Sequence, residues 1–306
     1  MIVSAALVAT VAVVGFCGPM LLRRTLRASV PGPLRFGTWI LLLGSMIAAG
    51  AGAVATAFGP GHEAARQFVA WLRIDTLRHH EVLHLDEVIG VSGVLLVTGA
   101  AGAFAVASVR RYRHQLRLHD RHFAELSIVC QASRAGVWWL PLEEKLAYSI
   151  AGKPDLVVLS EGLAKDLSAP ELAAVLDHER SHLRGRHHRL VGFAQAVSAA
   201  LPFVPLARQS PEFVAAAVEL SADAAAGRKH GPATVSAALD RMHPVRSPAI
   251  ALRLGHLANS GRRHKSAFRV RDSVLVLAAA AALPLSTAAA LVVAGAWAAT
   301  PALLHA

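Results

Sequence analysis

Leu176-Asp177-His178-Glu179-Arg180-Ser181-His182 carries the spacing His-Glu-x-x-His. On a helix the two histidines lie at i and i+4, on one face, where both imidazoles reach a single ion. The carboxylate of Glu179 then stands beside that ion as a general base for an attacking water. The flanking residues predict the helix. Ser168 and Glu171 form a capping box, and Pro170 falls in the first turn, where its missing N–H costs little. Leu172, Val175, Leu176 and Leu183 keep apolar spacing until Gly185, which is placed to end the helix. The expectation is a helix over residues 169–184.

The pattern occurs twice, because His80-Glu81-Val82-Leu83-His84 repeats it. That copy sits in a short segment between two apolar runs, with no sheet and no later acidic helix to accompany it. It reads as a polar, interfacial turn. A catalytic zinc takes three protein ligands and keeps one position open, so His178 and His182 need a partner, and two are available. Glu219 lies in Glu219-Leu220-Ser221-Ala222-Asp223, an acidic pair at i and i+4. Glu219 would hold Zn2+, and Asp223 would accept a hydrogen bond from a ligand histidine and set its tautomer. The bland alternative is a solvated acidic face. His188 is the other candidate third ligand. Residues 178–188 read His-Glu-x-x-His-x-x-Gly-x-x-His, the metzincin pattern, with Met242 available as that family's turn methionine. Here the bland alternative is a cationic cluster of Arg184, Arg186, His187, His188 and Arg189 at a helix C-terminus. His187, His188 and His230 are also candidates to stabilise an oxyanion.

Composition sets the context. The chain has 306 residues, of which 54% are hydrophobic, high for a soluble protein. Residues 1–22, 36–58, 88–109 and 273–300 are apolar runs of spanning length. Arg23, Arg24, Arg27 and Arg35 fill the first connection, and Arg110, Arg111 and Arg113 follow the third run. Segment 59–87 is richer in acids. The positive-inside rule then puts both termini outside and residues 110–271 in the cytoplasm. The same rule accounts for the net charge of +11, and no nucleic-acid motif accompanies it, so no direct nucleic-acid partner is expected. Cys17 and Cys130 imply no disulfide framework. A transporter is disfavoured, because the spans lack intramembrane charges.

The fold expected is a mainly α integral membrane protein in three parts. Residues 1–109 form three transmembrane helices, 110–271 a cytoplasmic α+β zincin domain of gluzincin type, and 272–306 a final transmembrane helix. Strands are predicted near 136–142, 145–150 and 156–160, with Ala151-Gly152-Lys153-Pro154 as a turn. Residues 190–207 are a further apolar run. A single crossing there would put Glu219 on the opposite side from His178, so the run is expected to be buried, in-plane or re-entrant. Ser210-Pro211 is expected to open the next helix and Gly227 to close it. Two short helices should follow, split near Pro244 and Pro248.

Three stretches carry a resemblance. They are residues 155–163 (Asp-Leu-Val-Val-Leu-Ser-Glu-Gly-Leu), residues 172–188 around the motif, and Glu219-Leu220-Ser221-Ala222-Asp223. Together they resemble the integral-membrane zinc peptidases of the BlaR/MecR type, in a short form without a sensor domain. HtpX-type and prenyl-protein peptidases share the same motif pair. The resemblance implies zinc on His178, His182 and Glu219, with Glu179 as base and Asp223 behind the ligands. It implies a metalloendopeptidase embedded in the lipid bilayer. Its substrate would be a protein or peptide such as a cytoplasmic transcriptional repressor, in signal transduction. A penicillin-binding sensor is not expected after the last span, which makes β-lactam sensing doubtful. The competing reading is a non-catalytic membrane signalling scaffold with a structural metal site. Retention of Glu179 speaks against it, because a structural site has no use for that carboxylate.

Overall fold

The computed structural model describes residues 2–28, 30–57, 85–129 and 136–261. The first His-Glu-x-x-His copy and the final apolar run lie outside them. The elements are helices α1 (Ile2–Arg27), α2 (Gly32–Ala57) and α3 (Leu85–Val129), then strands β1 (Trp138–Leu140), β2 (Ala147–Ile150) and β3 (Leu156–Ser160). Helices α4 (Glu161–Asp166), α5 (Ala169–Arg184), α6 (His187–Ala200), α7 (Pro205–His230), α8 (Pro232–Met242) and α9 (Pro248–Gly261) follow.

Among the described residues, two helices are long and apolar enough to cross a membrane by length and composition, in α1 and α2. Their outer faces stay bare, with Phe16 70% and Ile47 60% exposed. The third expected span falls in α3, which continues without a break through the basic stretch to Val129. Arg35, expected in a loop, sits inside α2 and is buried. Its Nε donates to the Thr25 carbonyl at 3.2 Å, and His256 of α9 approaches the Leu26 carbonyl at 2.5 Å. Both satisfy carbonyls that the end of α1 would otherwise leave open.

The sheet has the order β1-β3-β2, with β3 parallel to β1 and antiparallel to β2. Leu156-Val157-Val158-Leu159-Ser160 is buried throughout, as a central strand covered on both faces requires. Leu156 and Val158 pack toward Leu126 of α3, and Leu159 toward Val175 of α5 and Ala238 of α8. Ser160 caps α4, accepting from the Leu163 amide at 3.2 Å. Gly162 is required there, because a Cβ would lie 2.0 Å from the Glu143 carbonyl oxygen.

The apolar run at 190–207 does not form one long helix. Its 14-residue helix α6 is about 21 Å long, short of the roughly 30 Å of a bilayer core. Pro202 and Pro205 break it, and α7 turns back against it. Helix α7 begins at Pro205 and not at Ser210, so Pro211 lies in its interior. Ser210 is no cap: its hydroxyl donates to Leu206 and accepts from Trp39 Nε1 of α2, each at 2.8 Å. Trp39, Leu42, Ala194, Leu206 and Val214 form one core there, tying α2 to α6 and α7. Gly227 does not close the helix either, and α7 continues to His230.

Candidate metal centre and its supports

The motif helix α5 spans Ala169–Arg184, the range its signals predict. The Glu171 carboxylate accepts from the Ser168 amide at 2.8 Å and from its hydroxyl at 2.7 Å. Those hydrogen bonds hold the Glu171 carboxyl below its ordinary range, and a cap of this kind contributes about 1 kcal/mol.

On the inner face of α5, His178 Nε2 and His182 Nε2 are 3.1 Å apart. Glu219, from α7, brings Oε2 to 3.4 Å from His178 Nε2 and Oε1 to 3.4 Å from His182 Nε2. Tetrahedral zinc with bonds of about 2.05 Å sets its ligand atoms roughly 3.3 Å apart. Each imidazole nitrogen meets its own oxygen of Glu219 near that edge length, one ligand atom from each of the three residues lies within 4.8 Å of the others, and two imidazoles plus a carboxylate are a donor set zinc takes. The turn after α6 is what brings Glu219 back to the side of His178.

Each candidate ligand histidine is held from behind. His178 Nδ1 lies 3.0 Å from Asp223 Oδ1, so Nε2 is the nitrogen left facing the centre. Burial alone would lower the His178 pKa, but the hydrogen bonds to Asp223 and Glu219 outweigh it and raise it to about 9. His182 has no carboxylate behind it, and burial lowers it to about 4. Its Nδ1 instead meets His187 Nδ1 at 3.1 Å.

Arg253 of α9 completes the arrangement. Nε and Nη2 donate to Asp223 at 2.7 Å each, and Nη1 lies 2.9 Å from Glu219 Oε2. Burial would raise the Asp223 and Glu219 carboxyls, yet both sit below their ordinary values. The bond from Arg253 dominates for Asp223, and the His178 bond followed by Arg253 for Glu219. Sequence reading missed Arg253. The one signal was a cation in an otherwise apolar helix stretch, Ile250-Ala251-Leu252-Arg253-Leu254.

Glu179 points at β2. Its Oε2 accepts from Ser149 Oγ at 2.9 Å, and burial raises its carboxyl pKa. A raised carboxylate is the stronger base. Strand β2 is an edge strand, with no partner on its far side among the described residues.

The remaining candidates take other places. His188 is outside the cluster: α6 starts at His187, successive residues diverge by about 100°, and it is His187 that turns inward and is buried. His187 itself backs His182, and His230 lies 2.6 Å from Asp177 Oδ2, at the far end of α7. The geometry gives neither an oxyanion role. Gly185 ends α5 in a right-handed conformation, and Arg186 takes the left-handed one at φ 48°. Glycine is needed at 185 for space, because a Cβ there would lie 2.4 Å from His187 Nε2. Met242 packs at the edge of the core formed by Val137, Leu159 and Val175.

Residues 144–245 match the family model described as Peptidase family M48. The matched stretch is 102 of the 306 residues and holds β2, α5, both histidines, Glu179, Glu219 and Asp223. It supports a metallopeptidase. No curated protein and no solved structure matches the chain.

Proposed function

We propose that this chain is a membrane-embedded zinc metalloendopeptidase that cleaves a protein substrate on the cytoplasmic side, in regulated proteolysis or signalling. The observation that carries the reading is the cluster of two imidazole nitrogens 3.1 Å apart, each 3.4 Å from one oxygen of the Glu219 carboxylate, with Glu179 beside them. His178, His182 and Glu219 would hold the zinc. When bound, zinc supplies a Lewis acid that polarises the scissile carbonyl and acidifies the attacking water. Glu179, steadied by Ser149, takes a proton from that water and delivers it to the departing amine nitrogen. Asp223 and His187 keep the two imidazoles turned inward, and Arg253 keeps the Glu219 and Asp223 carboxylates in place. An extended substrate pairs along the open edge of β2, which runs beside Glu179.

The bare apolar faces of α1 and α2 and the short α6 support membrane embedding, with α6 lying at or within the surface instead of crossing. The resemblance supports a repressor-like substrate.

The test compares wild type with Glu179→Gln in phosphatidylcholine, reading bound zinc and cleavage of casein. Both should bind zinc, and the variant should lose at least about 100-fold in cleavage. Cleavage at equal rates would remove Glu179 from the mechanism. Zinc binding by both with no cleavage of casein or of candidate repressors would favour the scaffold.

A further inference from the structure

The approach to the catalytic cluster is lined by cations that nearby acids do not neutralise. The chamber that opens on Glu179 and Glu219 has a volume of about 2360 Å³. The end of α1, the middle of α3, the α5–α6 turn and the first turn of α6 also wall it, contributing Arg23, Arg27, Arg111, Arg186 and Arg189. Two of these are held by neutral groups. Arg23 Nη2 donates to Gln209 Oε1 at 3.0 Å, and Arg111 donates to the Gln195 carboxamide. A carboxamide fixes a guanidinium without cancelling its charge, and one oxygen cannot use all five N–H donors. Among the described residues, no carboxylate forms an ion pair with Arg27, Arg186 or Arg189. Lys153 adds a further cation to the wall.

The acids on the same wall, outside the catalytic cluster, are Asp120, Asp155 and Glu212. Asp155 accepts from the Gly152 amide at 3.0 Å, and Asp120 lies 3.4 Å from His119 Nδ1. The wall is therefore net positive, and a concave wall focuses that potential inward. The positive-inside rule explains arginines beside apolar helices. It does not explain why glutamines of α6 and α7 hold two of them against the chamber that contains the catalytic carboxylate.

We infer that the chamber selects polypeptide segments with acidic side chains flanking the scissile bond, held by guanidinium–carboxylate pairs. The inference rests on the peptidase reading above. Arg23 and Arg111 are the specificity-determining residues, with Arg27 and Arg189 adding to the field.

The test uses the full chain in phosphatidylcholine nanodiscs. Three dye-labelled, unstructured peptides differ only in the residues flanking a central apolar pair, which are Glu, Gln or Lys. Binding to the Glu179→Gln variant is read by anisotropy, and cleavage is read with wild type. The Glu peptide should bind about tenfold tighter than the Gln peptide at low salt, with the gap closing as salt rises. Arg23→Gln with Arg111→Gln should shrink the gap to about twofold while bound zinc is unchanged. Should that pair fail to fold, Arg27→Gln with Arg189→Gln, at exposed positions, should still narrow it. Equal binding of the Glu and Gln peptides overturns the inference. So does loss of the preference when phosphatidylglycerol is added, because the arginines then hold lipid headgroups. Tighter Glu binding with no cleavage by wild type sinks the peptidase reading alone. Equal cleavage of all three peptides sinks the inference alone.

Discussion

Asp223→Asn isolates the support behind the candidate metal centre. Asp223 is almost fully buried and accepts three hydrogen bonds, one from His178 Nδ1 at 3.0 Å and two from Arg253 at 2.7 Å. An amide keeps the shape but has one acceptor oxygen, so His178 or Arg253 must face an NH2 group. Breaking a buried ion pair from one side costs about 3–5 kcal/mol. Arg253 keeps Glu219 as a second partner, which lowers the expectation to about 2 kcal/mol in the metal-free protein. Loss of the group that orients a ligand histidine weakens metal binding by about 10–100-fold. Proton release gives a separate readout. With its pKa near 9, metal-free His178 carries a proton at pH 7.5 that zinc must displace. Wild type should therefore release close to one proton from this site, and the variant less, because the Asp223 bond that raises His178 is gone. Chelator competition measures the affinity, and calorimetry in buffers of different ionisation enthalpy measures the protons. Affinity within about threefold of wild type, with unchanged proton release, would refute the assignment of Asp223 as the residue that orients His178.

Other expectations follow from the same geometry. His187→Ala should weaken zinc binding by about tenfold, because His182 loses the partner of its Nδ1. His188→Ala should leave binding unchanged, and the reverse result would restore the metzincin-like ligand set. Gly185→Ala should destabilise the fold by about 1–3 kcal/mol in urea unfolding, since the new Cβ meets the buried His187 ring. In the metal-free protein, the raised pKa of His178 contributes stability that is present below about pH 6.5 and is lost as pH rises through about 9. Unfolding midpoints between pH 6.5 and 9.5 should fall, and Asp223→Asn should flatten the slope.

Local chemistry was legible in the sequence wherever it depends on residues a few positions apart. The i, i+4 spacing of His178 and His182 needs only a helix, and Ser168, Pro170 and Glu171 mark where that helix starts. The apolar run of β3 needs only to be covered on both faces. Glu219 and Asp223 could be named as a pair for the same reason, though not brought to His178. That step depends on α6 breaking at Pro202 and α7 turning back, and Pro211 gave a false start because packing against Trp39 carries the helix through it. Arg253, Ser149 and the inward turn of His187 depended on tertiary structure alone. Arg253 acts through residues 30 positions away in the chain, and Ser149 reaches Glu179 from another element. His187 and His188 are chemically equal in the sequence, and only the phase of α6 against α5 decides which of them is buried beside His182. The sequence by itself named the pair His178 and His182 and left the third candidate ligand between Glu219 and His188. The tertiary structure decided which nitrogen of each ligand faces inward, because that follows from the group on the other side of the ring.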